Sequence, residues 1–130
     1  MKIFLIIFGL LVITGCDVFI QYCDVGKSYY VDSEYRGLNY ALDDGGGIGR
    51  IKSGVTAAGW NNKHLIIERR RDDNLYFYII DVEKDHGFAE NQEFVSGPFS
   101  EKKFLEQRKR MGVDPKLQFT KRWSNCCWIE

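Results

Sequence analysis

Leu75–Ile80, LYFYII, is an uninterrupted run of six apolar and aromatic residues. A helix of that length would be less than two turns. The β-branched and aromatic make-up suits a strand. A strand with no polar side must be covered on both faces, so it belongs in the middle of a sheet. Turn chemistry bounds it, with Arg71-Asp72-Asp73-Asn74 before it and Asp85-His86-Gly87 after it. Whatever else the chain does, it must enclose this segment.

The flanking sequence reads as an antiparallel meander. Leu38, Tyr40 and Leu42 alternate with Asn39 and Ala41, the period-2 signature of a half-buried strand. Asp43-Asp44-Gly45-Gly46-Gly47 is a turn, and Ile48–Lys52 is the expected return strand. Val55–Trp60, an Asn61-Asn62 turn and a strand from Leu65-Ile66-Ile67 into Arg69-Arg70-Arg71 follow. Glu93–Val95 reads as a short edge strand. One helix is clear: Gly97-Pro98 breaks the chain, Ser100 is a suitable N-cap, and Phe99 and Phe104 have hydrophobic-staple spacing. Glu101 stands at the positive end of the helix dipole and Arg108, Lys109 and Arg110 at the negative end. Gly112 and Pro115 end the helix, and Leu117–Thr120 reads as a last strand. The expected fold is therefore α+β, a single antiparallel meander with one C-terminal helix. That helix, Glu101–Met111, should pack on the sheet through Phe104, Leu105 and Met111. The chain shows neither an internal repeat nor a low-complexity segment.

Length and composition bound the rest. At 130 residues with 45% apolar content, the chain can build one good core but hardly two. Eighteen Lys and Arg against eighteen Asp and Glu argue against a general nucleic-acid binder, which needs a cationic surplus. Two histidines and four cysteines leave little for a metal site, and nothing in the sequence asks for a cofactor.

The first residues, MKIFLIIFGLLVITGC, combine Lys2 with an apolar stretch from Ile3 to Ile13. Eleven helical residues rise only about 16 Å, well short of a bilayer core of about 30 Å. The segment reads as a signal peptide rather than a membrane span. Ile13-Thr14-Gly15-Cys16 resembles the lipobox of bacterial lipoproteins. The resemblance implies a diacylglyceryl group on the Cys16 sulfur, cleavage before it, and acyl chains such as palmitate holding the protein to a membrane. Residues 1–15 are then the signal peptide, 16–26 a lipidated N-terminus with a short tether or entering strand, and 27–130 one domain. Asp17 resembles the inner-membrane retention signal of enteric-type bacteria, which favours the periplasmic face of the inner membrane in a cell with two membranes.

Several further segments carry a second resemblance. They are Gly59-Trp60-Asn61 leading to Leu65-Ile66-Ile67, then Tyr78-Ile79-Ile80-Asp81 and Gly97-Pro98-Phe99-Ser100, and finally Phe104 with Arg108 before Leu117 and Phe119. Together they are similar to a family of small bacterial lipoproteins of unknown function, over about half the chain. The resemblance implies the β-meander-plus-helix order and an envelope location, and brings no activity with it.

The remaining candidate residues also have plainer roles. With Cys16 lipidated, Cys23, Cys126 and Cys127 remain in an oxidising compartment. Cys23 can bridge to Cys126 or to Cys127 and staple the two ends of the domain. The alternatives are an adjacent Cys126–Cys127 pair, free thiols, or redox chemistry, which would more usually show C-x-x-C. Asp81, Glu83 and Asp85 have the look of a calcium loop, but Gly87 comes one place late and Gln92 stands where the bidentate Glu belongs. A charged hairpin end is the simpler reading. Gly45-Gly46-Gly47-Ile48-Gly49 fits neither G-x-G-x-x-G nor a P-loop. Ser96 or Ser100 with His86 and Asp81 would be a triad only by spatial accident, since no nucleophile elbow is present.

Charge is distributed unevenly: residues 16–49 are acidic and 100–122 basic. The expected function is a lipid-anchored, non-catalytic envelope module that binds a protein or the cell surface. Lys102, Lys103, Lys109 and Arg110 are the expected partner surface. The alternative is an inhibitor or immunity-type lipoprotein that blocks an envelope-attacking enzyme through the Asp43–Gly49 loop.

Overall fold

The computed structural model describes residues 22–124 and 127–129. Ten strands and one helix lie among them: β1 Tyr22–Val25, β2 Tyr29–Asp32, β3 Leu38–Ala41, β4 Gly47–Ile51, β5 Val55–Trp60, β6 His64–Arg71, β7 Asn74–Asp81, β8 Val95–Phe99, α1 Glu101–Arg110, β9 Lys121–Ser124 and β10 Cys127–Ile129. All pairings are antiparallel.

The expected single meander is in fact two sheets. One has the order β1-β2-β3-β4 and the other β10-β9-β5-β6-β7-β8. The break falls between β4 and β5, at Gly54. This residue has φ +78, its N–H donates to the Tyr35 carbonyl, and its own carbonyl accepts from Arg70. A Cβ there would collide with the Arg70 carbonyl oxygen. Only glycine serves at this corner, and past it β5 pairs with β6 and β9 instead of β4.

β7 lies between β6 and β8. Its run is covered on both faces from Phe77 to Ile80, where β8 pairs with it, whereas Leu75 lies before the first β8 pair and is exposed. Alternation sends its side chains two ways. Tyr78 and Ile80, with Leu65 and Ile67 of β6, face the four-stranded sheet and meet Val25, Tyr29, Val31, Leu38 and Ile51. Phe77 and Ile79, with Ile66, face the opposite way onto Phe104 of α1 and Val113. The molecule is thus three layers: small sheet, large sheet, helix.

The helix begins where the sequence places it. The Ser100 hydroxyl accepts from the Lys103 N–H, and Phe104 stacks on Phe77 at 5.0 Å between ring centroids. Met111 packs into this core as expected. Leu105 does not: it is 50% exposed, because at about 100° per residue it stands well round the helix from Phe104. Two strand boundaries also differ. The Gly97-Pro98 pair does not break the chain but lies within β8. That strand is at the sheet edge, the position where a residue without an N–H is tolerated. Leu117–Thr120 is not a strand. It crosses the large sheet, and the Gln118 carbonyl sits where a Cβ of Gly59 would be. Leu117 and Phe119 cover the helix-side core from there.

All strands run between two ends of the molecule. At the Tyr22 end, β1 starts and the β2–β3 turn, the Gly54 corner and the β6–β7 turn gather, as the Tyr35–Gly54–Arg70 hydrogen bonds show. At the loop end lie the β1–β2, β3–β4 and β5–β6 turns and the long β7–β8 connection, residues 82–94. Gly26 meets Trp60, Val82 donates to the Lys63 carbonyl, and Gly87 lies against Leu42.

Candidate functional site

The loop end is organised by a buried ion pair. Arg50 of β4 points into the molecule and Asp85 of the β7–β8 connection meets it; both side chains are 1% exposed. The contact is bidentate. Arg50 Nε donates to Asp85 Oδ2 and Nη2 donates to Oδ1, each at 2.9 Å, the geometry that suits a planar guanidinium to a carboxylate. Tyr29 donates its hydroxyl to Oδ2 at 2.7 Å, and the His86 N–H donates to Oδ1 at 2.9 Å. Arg50 Nη2 also donates to the His86 carbonyl at 3.0 Å, and its guanidinium lies over the Tyr40 ring at 5.4 Å. Gln92 closes the connection by donating to the Arg50 carbonyl at 2.9 Å. Burial, reinforced by the hydrogen bond to Asp85, drives the Tyr29 hydroxyl far above the ordinary tyrosine range, so it stays a donor.

This arrangement fixes the chain. Each oxygen of Asp85 already accepts two hydrogen bonds, which leaves no lone pair aimed at a substrate proton. The network pins a thirteen-residue connection without regular secondary structure to the face of the small sheet. On that connection Ala89 is buried while Phe88, next to it, is 98% exposed. The His86 Nδ1 accepts from the Phe88 N–H at 3.1 Å. The acidic β3–β4 turn stands alongside, with Gly46 donating to Asp44 at 2.8 Å. Six exposed carboxylates mark this end, Asp24, Asp43, Asp44, Glu83, Glu90 and Glu93, against three exposed lysines, Lys27, Lys63 and Lys84. A cleft of about 770 Å³ opens between the β1–β2 and β5–β6 turns, lined by Gly26, Tyr29, Trp60, Asn61 and Leu65 among others.

The other candidates fall as follows. Cys16 and Cys126 lie outside the described residues. Cys23 is buried in β1 and disulfide-bonded. Its partner belongs to the part of the chain outside the described side chains, while the backbone of β10, which carries Cys127, runs beside β1. Lys102, Lys103, Lys109 and Arg110 are all exposed. Helical spacing puts them on one side of α1, away from Phe104, with Glu106 three or four residues from each. Serine, histidine and aspartate do not assemble into a triad: Ser100 caps the helix, Asp81 accepts from the Lys84 N–H, and His86 is engaged with Phe88. The acidic run Asp81-Glu83-Asp85 disperses once Asp85 turns inward to Arg50. Among the described residues no three His, Cys, Asp or Glu side chains are placed to hold a metal ion. His64 opens β6 with its Nδ1 buried and unpartnered. With the proton on Nε2 that atom is an acceptor only.

Sequence reasoning missed Arg50, Tyr29 and Phe88, and placed Asp85 at a charged hairpin end where the structure buries it against Arg50. One signal was available: a lone arginine in the strand Gly47–Ile51, between Gly49 and Ile51, has no amphipathic face to occupy. No family model matches the chain, and neither a curated protein nor a solved structure does.

Proposed function

We propose that the chain is a lipid-anchored, non-catalytic binding module of the bacterial envelope, which presents its loop end to a protein partner. The observation that carries the reading is the Arg50–Asp85–Tyr29 network, because it holds in place a long connection whose Phe88 ring is almost wholly in solvent. An ordered, exposed aromatic on a rigid loop costs little entropy to bury against a partner, and such residues carry a large share of binding energy. The surrounding carboxylates favour a basic partner. The lipobox supports the anchor. β1 starts at Tyr22, at the end opposite Phe88, so an anchor that precedes it in the chain favours a loop end turned away from the membrane.

Cross-linking and recovery of the protein from its own membranes tests this. Phe88→Ser should lose the partner with folding intact, whereas unchanged recovery removes the loop end from the interface. A second reading, an inhibitor of an envelope-attacking enzyme, is favoured by the Asp43–Gly49 turn standing beside the same connection. It predicts that the purified protein slows a wall-degrading enzyme and that Asp43→Lys with Asp44→Lys abolishes the effect.

A further inference from the structure

We infer that the Tyr22 end of the domain is itself a membrane-docking surface, which seats the protein upright on an anionic bilayer. The inference rests on the lipid-anchor reading and adds to it an oriented contact by the folded domain.

Three observations converge. First, of the five large hydrophobic side chains exposed among the described residues, two, Tyr35 and Leu75, belong to this one end, and Tyr22 stands beside it on the outer face of the small sheet with its ring against Tyr30. They are linked through the backbone: Tyr35 accepts from Gly54, Gly54 accepts from Arg70, and Arg70 stands opposite Leu75 across the β6–β7 ladder. Tyr22 pairs with Asp32, whose carboxylate accepts from the Tyr35 N–H at 2.8 Å. Tyrosine suits the bilayer interface, with its ring among acyl chains and its hydroxyl in the headgroup layer. Second, the ends differ in charge. Arg36, Lys52, Arg70 and Arg71 are exposed here, against Glu34, Asp72 and Asp73. The loop end carries twice as many exposed carboxylates as lysines. A negative leaflet therefore repels the loop end and meets near-balanced charge, with one cation in excess, at this one. Third, the tether is short. Six residues lead from Cys16 to Tyr22, a reach of at most about 20 Å. Screening confines the headgroup field to about 10 Å or less, so only a short tether brings the arginines within it.

The test uses the mature protein purified from its host membranes and reconstituted in vesicles of phosphatidylethanolamine and phosphatidylglycerol. Vesicle flotation and the mass of the N-terminus read the anchor alone. Amide hydrogen exchange reads the docking. Exchange at residues 33–37 and 71–75 should slow several-fold on vesicles relative to detergent, with no change at 42–46 or 86–91. A variant carrying Tyr35→Ser, Leu75→Ser, Arg70→Glu and Arg71→Glu should still float but lose that protection. Unchanged exchange in β5 and β7 shows that it is folded. Equal exchange at the two ends of the wild-type protein on vesicles overturns the docking surface while leaving the anchor untouched. Failure to float, or an unmodified Cys16, overturns the anchor instead.

Discussion

The large sheet has two faces, and they are packed by different means. On the helix side, Phe77, Phe104 and Phe119 lie within 6 Å of one another between ring centroids, and the charged neighbour Arg108 keeps to the rim, donating to the Asp114 and Leu117 carbonyls. On the other side, the contact with the small sheet ends at a buried arginine and a buried carboxylate. The first face is held by area removed from water, which tolerates small rearrangement. The second has an apolar core of its own, and adds at its loop end a geometry with each lone pair assigned, which fails sharply when one partner is removed. The difference teaches where rigidity is concentrated: at the loop end, behind Phe88.

The largest effects come from attacking each face in turn. Asp85→Ala leaves Arg50 buried without a counter-charge and should cost about 3–5 kcal/mol in denaturant unfolding. Adding Arg50→Met to it should recover much of that loss, since removing both charges also removes the desolvation cost. Phe104→Ala should cost about 3–4 kcal/mol, and no second truncation rescues a cavity. Leu105→Ala, on the same helix but half exposed, should stay within about 0.5 kcal/mol. If the double variant is no better than Asp85→Ala, the two faces are not different in kind.

A smaller effect separates them by pH. Tyr29→Phe keeps the ring and removes one donor to Asp85, a loss of about 1–2 kcal/mol. The native state holds the Tyr29 proton far above pH 10, while the unfolded chain releases it near that value. Below pH 10 both states are protonated and the group adds no pH dependence. Above it the unfolded chain binds fewer protons, so stability falls as pH rises. Tyr29→Phe should flatten that alkaline decline in melts followed from pH 9 to pH 11, whereas Phe104→Ala should shift the whole curve and leave its slope alone.

The two faces also differ in how far the sequence announces them. The helix and its core are local patterns: an N-cap serine three residues before Lys103, a staple pair, an apolar run of six. The β7 run even states that two faces must be covered. What covers the second is not local. Thirty-five positions separate Arg50 from Asp85, and each has an ordinary explanation on its own, a strand residue and a charged turn. The split into two sheets turns on Gly54, one glycine among thirteen. Its role appears only when the Tyr35 and Arg70 carbonyls are in place. Phe88 likewise looks like a core residue until its neighbour Ala89 is seen to take the buried position.

The smallest effect on stability is expected at the helix surface, where it bears on function. Replacing Lys102, Lys103, Lys109 and Arg110 with glutamine removes the spacing-matched pairs to Glu106, worth about 0.2–0.5 kcal/mol each at an exposed site. It also removes two cations from the negative end of the helix, a loss offset in part by the two taken from the positive end. The net change should be about 1 kcal/mol or less. Partner recovery is the sharper readout. Glu106 sits among the four cations and dilutes their field, and α1 lies on the layer farthest from the small sheet. If the partner sits on the loop end, the glutamine variant recovers it as well as the wild type does at physiological salt, and Phe88→Ser does not. If the glutamine variant loses the partner in a salt-dependent way and Phe88→Ser keeps it, the basic face is the interface. The rigid loop end then serves only to close the sandwich.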